Sequence, residues 1–127
     1  MKLLLLAVSG GAIGSGARHL INVAFGRWLG SGGFPWSTFT VNVVGCFLMG
    51  VLISALALRF DGSIEMRTFL ATGILGGFTT FSAFSLDFAA LAERGDLTLG
   101  MVYVLASVVL SIAAVFAGLS LTRAVLA

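Results

Sequence analysis

Four stretches of mostly apolar sequence, joined by loops too short to fold by themselves, limit this chain more than any other feature. A helix that spans a bilayer needs about 20 such residues. The first stretch runs from about Leu3 to about Phe25 and the second from about Thr38 to Leu58. The third runs from about Phe69 to about Leu91, and the fourth from about Leu99 to Leu121. Between them lie GRWLGSGGFPWS, RFDGSIEMR and ERGDLT, which hold most of the charge, the only proline and both tryptophans. Trp28 and Trp36 suit the membrane interface, where an amphipathic ring is at home.

Only 9% of the residues are charged, against about 25% in a soluble domain. The chain therefore reads as one all-α integral membrane domain, residues 1–127, with four transmembrane helices. Its start, MKLLLLAVSGGAIGSGA, has the outline of a signal peptide. Three more apolar spans follow with no soluble segment to export, so it is read as the first membrane helix. The basic residues are scattered rather than gathered in a stripe, which gives nucleic-acid binding no support. The single cysteine, Cys46, lies in an apolar run and is read as a small buried residue. No nucleophile–base pair or cluster of metal-binding side chains points to an enzyme.

The charge bias that orients membrane proteins is weak here. Lys2, Arg59, Arg67 and Arg123 fall on one side; Arg27 and Arg94, with Arg18 arguably joining them, fall on the other. This fits a chain that inserts both ways up and pairs antiparallel with itself. It also fits a fixed topology whose boundaries the count has blurred.

Helices associate in lipid through small residues and interhelical hydrogen bonds. GGAIGSGA in the first span and Gly45 and Gly50 in the second read as packing surface, on enough faces to suggest an oligomer. Some polar residues at membrane depth are harder to assign to packing. Thr38, Thr40 and Asn42 are candidates for a polar path; Asn42 shares a face with Thr38, four residues away, while the every-second-residue spacing of all three does not trace one helical face. Tyr103, Ser107 and Ser111 fall on one line of the fourth span and suggest a polar lining. No carboxylate sits at the centre of a span; Asp87 comes nearest. A proton relay or a cation transporter would want one there. Arg18 could snorkel to the interface, or pair with Asp87 or an anion.

The third span contains TGILGGFTTFSAFS, a poor helix former. A break from Gly76 to Thr80 would free backbone carbonyls, which at membrane depth must be buried or line a cavity. If two chains met antiparallel at the break, those oxygens could share a hard cation such as Na⁺. Phe81 and Phe84 follow at once. Their positive ring edges, with the Ser and Thr hydroxyls nearby, could attend a small anion without trapping it.

GGFTTFSAFS resembles the signature of the Fluc (CrcB) family of bacterial fluoride channels. PWSTFTVNVVGCFLMG resembles that family's second-helix motif, and GGAIGSGARHLI its glycine-rich first helix. The resemblance covers nearly the whole chain. It implies an antiparallel, dual-topology homodimer in the bacterial inner membrane, surrounded by lipid, with passive export of fluoride that entered as HF. It implies a structural Na⁺ at the dimer centre on the carbonyls of Gly76 and Thr79, two from each chain. It places Phe81, Phe84, Asn42, Tyr103, Ser107 and Ser111 on the fluoride pathway, and matches the first-helix arginine to Arg18. Two departures stand out. Ala83 replaces the usual threonine of TTFSTFS, with Ser82 and Ser85 left to compensate, and Asp87 replaces the usual glutamate.

Two other functions suit a small four-span chain. A small multidrug exporter would carry a carboxylate within its first span, and Glu65 and Glu93 sit in loops instead. A scaffold subunit would not require a polar, helix-breaking core.

Overall fold

The structure, a computed structural model, describes residues 1–30 and 32–127. Its elements are α1 (Lys2–Leu29), α2 (Trp36–Leu58), α3 (Ile64–Arg67), a π-helical segment (Thr68–Leu75), α4 (Gly76–Phe78), α5 (Ser82–Glu93) and α6 (Leu97–Leu126). Among the described residues, four helices are long and apolar enough to cross a membrane: Lys2–Leu29, Trp36–Leu58, the composite Ile64–Glu93, and Leu97–Leu126. The protein is a multi-pass membrane protein, and in hydrocarbon a helix is one of the few structures that bonds its own backbone.

The helix ends follow local chemistry. α1 stops at Gly30, whose φ of 73° is open to glycine at little cost. Pro35, which has no N–H to leave unpaired, precedes the first turn of α2. The Ser63 hydroxyl caps α3 by accepting from Met66 N at 3.1 Å. At the end of α5, Gly95 takes φ 87° while Asp96 N donates back to Leu91 O at 2.9 Å.

Glycines decide how the helices meet. α1 lies along the π segment and α4, and α2 lies along α6. A Cβ added to Gly14 would strike Ile74 O and come within 2.8 Å of Phe78 N. One added to Gly73 would come within 2.8 Å of Gly10 Cα, and one on Gly77 would hit Gly11 O at 2.6 Å. The Gly50–Gly118 crossing brings α2 and α6 into the same backbone-to-backbone contact. Such approach gains dispersion contacts where lipid offers no hydrophobic drive.

These glycines narrow the irregularity expected from Gly76 to Thr80 in the third span. Gly76 and Gly77 are helical. Regular helix is interrupted one turn later, at Thr79–Phe81, where Thr79 is extended with ψ 161°. The halves stay nearly collinear, with the span bent by only 13°. Gly73 and Gly77 serve contact with α1, and the interruption falls where side chains can replace the lost backbone bonds.

The interior is small. Phe84, Leu91 and Tyr103 form its centre, with Phe34, Phe39, Leu99 and Val104 packed around them. Two contacts tie the helices together at one end: Lys2 pairs with Glu65 at 3.6 Å, and Arg59 Nε donates to Leu126 O at 3.0 Å.

Candidate functional site

Asn42, in the second turn of α2, reaches the interruption in the third span. Its Nδ2 donates to Thr80 O at 3.0 Å, and its Oδ1 accepts from Thr80 N at 2.8 Å. The amide thus closes a two-bond ring with one peptide unit, which suits its paired donor and acceptor. One turn on, Thr80 Oγ1 accepts from Ala83 N at 3.1 Å and starts α5.

Those bonds release two carbonyls. In an unbroken α-helix, Thr80 N would donate to Gly76 O and Ala83 N to Thr79 O. Both amides are diverted to side chains. Gly76 O and Thr79 O are left without the donors that a continuous helix would give them. Thr79 itself stays anchored, since its amide and its hydroxyl both donate to Leu75 O at 3.1 Å.

A cavity of about 360 Å³ opens beside these groups. Asn42 and Cys46 line it from α2; Gly76, Thr79 and Thr80 from the interruption; Phe81 and Phe84 from the chain that follows; and Ser107, Val108 and Ser111 from α6. None of these side chains carries a charge. Ser107 is only 4% exposed, and its Oγ has no hydrogen-bond partner among the described residues. A buried hydroxyl without a partner costs free energy, so the wall is poised to meet a polar or ionic guest.

A second cavity, of about 540 Å³, lies between the end of α1, the start of α2 and α5. Asn22, Ser37, Thr38, Asp87 and Arg94 give it polar walls, and Ser37 Oγ donates to Asn22 Oδ1 across it. Tyr103, fully buried, lies between the two cavities. Its hydroxyl donates to Asp87 Oδ2 at 3.0 Å, and its ring meets Phe84 with centroids 5.2 Å apart.

The expected residues therefore divide. Asn42, Gly76, Thr79, Phe81, Phe84, Ser107 and Ser111 share the first cavity. Thr38 belongs to the second cavity, and Tyr103 lines neither, its hydroxyl being committed to Asp87. Thr40 and Arg18 also line neither. The only ion pair among the described residues is Lys2–Glu65, so Arg18 is not paired with Asp87. Ser85 Oγ turns back to Phe81 O at 3.0 Å, and Ser82 Oγ lies 3.4 Å from Thr80 Oγ1. Phe84 is 7% exposed and Phe81 78% exposed, although their rings touch with centroids 5.6 Å apart.

Cys46 is a correction. It is half-buried and lines the first cavity, whereas the sequence reading made it a packing residue. The signal was present: Thr38, Asn42 and Cys46 recur every four residues, one stripe along α2 that serves both cavities. Thr80 was missed as the partner of Asn42 because the acceptor is backbone, which no sequence pattern marks.

Residues 5–119 match the family described as CrcB-like protein, Camphor Resistance (CrcB). The chain is similar to the fluoride-specific ion channel FluC of Agrobacterium fabrum (strain C58), 58% identical over 93% of this chain and 94% of that protein. It is similar to the protein of the same name in Chelativorans sp. (strain BNC1), 58% identical over 97% and 98% of the two chains. It is also similar to the one in Rhodospirillum centenum, 50% identical along the full length of both.

Proposed function

Because this chain belongs to the CrcB-like protein family, we propose that it works as a fluoride-selective channel exporting cytoplasmic fluoride passively across the bacterial inner membrane. It is a channel protein and not an enzyme. The observation that carries the reading is the first cavity: an uncharged wall with an unpartnered, buried Ser107 hydroxyl opposite aromatic rings.

The chemistry suits a small anion. Fluoride is strongly hydrated, so a selective path must replace the water it sheds with donors. Ser107 and Ser111 supply O–H groups on the wall, and the rings of Phe81 and Phe84, whose edges carry partial positive charge, line the same cavity. With no fixed cation on the wall, the ion is held weakly enough to leave. With no carboxylate there, it is not repelled.

The working unit in this reading is an antiparallel homodimer. Phe81 is largely bare in one chain, and a second copy would cover it and complete the wall. The freed carbonyls of Gly76 and Thr79 support the same arrangement. Two oxygens are too few for a hard cation, but two from each of two chains converging at the interruption fit Na⁺. Bound there, Na⁺ would supply positive charge that neutralises the carbonyl dipoles and ties the chains together. The diverted amides of Thr80 and Ala83 hold those carbonyls free for it.

A fluoride-sensitive bacterial strain without an exporter of its own tests the reading in cells. Expression of this chain should restore growth in fluoride, and failure to do so with the protein present in the membrane would contradict it. Labelling variants that carry one cysteine at a terminus, in a chain with Cys46→Ala, from both sides of the membrane tests the antiparallel arrangement; labelling of each terminus from one side only would contradict it.

A further inference from the structure

The stripe of α2 that carries Asn42 ends on a group the channel reading leaves unused. Cys46 sits one turn beyond Asn42, half-buried, on the wall of the 360 Å³ cavity. Facing it from α6 are Ser107 and Ser111, and the rings of Phe81 and Phe84 complete the enclosure. Ser107, with its buried hydroxyl lacking a partner, marks this part of the cavity as the place where a guest is accommodated. A thiol on that wall stands beside whatever passes.

We propose that Cys46 forms part of the wall of the anion path and is a modification site through which a small thiol-specific reagent closes that path. The inference rests on the fluoride-channel reading and adds to it a residue and a means of block. The reacting species is the thiolate. With methyl methanethiosulfonate, Cys46 Sγ attacks the sulfenyl sulfur, a new S–S bond forms, methanesulfinate leaves with the electron pair of the old one, and the thiol proton goes to buffer. The product carries a CH₃S group projecting into the cavity between Asn42 and Ser111. An apolar methyl there replaces space that a desolvating anion needs, and it brings no donor to offset the loss. A thiol such as dithiothreitol reverses the exchange and reopens the path.

The chain has one cysteine, so a thiol effect has a single origin. Purified protein in liposomes is treated with methyl methanethiosulfonate, its mass is measured, and fluoride efflux is followed before and after. The mass should rise by one CH₃S group, and efflux should fall by about tenfold or more, since a narrowed path loses both entry and exit. Dithiothreitol should restore both. The Cys46→Ala and Cys46→Ser variants, checked for intact assembly by size exclusion, should each keep its own pre-treatment rate when treated. A chain that gains no mass contradicts the proposal, because the thiol then does not face an accessible cavity. A chain that is modified but conducts as before contradicts it too, as does equal block of the cysteine-free variants. Protein that carries no fluoride before treatment contradicts the channel reading itself.

Discussion

Asn42 holds the peptide unit of Thr80 from both sides, donating to its carbonyl at 3.0 Å and accepting from its amide at 2.8 Å. That clamp joins α2 to the third span at the point where the span's own hydrogen bonding fails. It also explains how a helix can lose bonds at membrane depth and stay straight, since the lost partner is replaced by a side chain from a neighbour.

Two substitutions separate the clamp from the electrostatics. Asn42→Ala removes both bonds and should lower stability by about 1–3 kcal/mol, given that interhelical bonds in membranes are worth about 0.6–2 kcal/mol each. Asn42→Asp keeps an acceptor for Thr80 N but sets a second acceptor against Thr80 O, and it adds negative charge to the first cavity. It should abolish fluoride flux even in protein that still assembles. Thermal unfolding in detergent reads the first effect and liposome efflux the second; normal flux through Asn42→Asp would place Asn42 outside the path.

Glycine contacts on α1 predict a contrast within one helix. A Cβ on Gly14 would collide with backbone of the third span, whereas one on Gly16 meets nothing within 4 Å. Gly14→Ala should cost about 1–3 kcal/mol, the usual penalty of overpacking, because backbone cannot move aside as a side chain can. Gly16→Ala should leave the melting temperature unchanged or raise it, alanine being the better helix former. Equal destabilisation by the two would argue against the α1 contact described here.

The two phenylalanines should answer differently to truncation. Phe84 is packed on Tyr103, so Phe84→Ala should lower stability by about 3–5 kcal/mol as a core deletion does. Phe81 is bare in the single chain, so Phe81→Ala should leave that chain's fold within about 0.5 kcal/mol of the original. Both should lose fluoride flux. Efflux that persists in Phe81→Ala would remove that ring from the pathway.

Ala83 stands where the motif resemblance leads one to expect threonine, and its place in the structure limits what that difference can do. It lines the second cavity and not the first. Ala83→Thr would add a hydroxyl near Asp87 and Thr38, away from the Phe81–Ser107 region. One added hydrogen bond is worth about 0.5–1.5 kcal/mol, so flux should change by less than about tenfold. A larger gain would move the rate-limiting step to the second cavity.

Much of this architecture could be read from the sequence, and what could not has physical reasons. The four spans follow from long apolar runs, because lipid admits few other structures. The first cavity was legible in part. Asn42, Phe81, Phe84, Ser107 and Ser111 are polar or aromatic at depth, and the structure brings them together. The interruption covers Thr79–Phe81, the later part of the expected Gly76–Thr80 stretch and one residue more, because glycine in a membrane helix also serves close packing and composition does not separate the two uses. Tyr103 has helical spacing with Ser107 and Ser111, but its hydroxyl turns to Asp87, a partner sixteen residues away on another helix. Cys46 escaped notice because a lone cysteine in an apolar run has packing as its ordinary role.

The claim that an uncharged, donor-lined cavity passes fluoride is tested most directly by flux from liposomes. Purified protein is reconstituted into vesicles loaded with potassium fluoride, valinomycin is added to carry the countercharge, and an electrode follows fluoride release. The account predicts rapid fluoride efflux from vesicles containing the protein and no comparable chloride efflux from matched vesicles loaded with potassium chloride. No fluoride release above protein-free vesicles, or chloride release at the same rate, would contradict it.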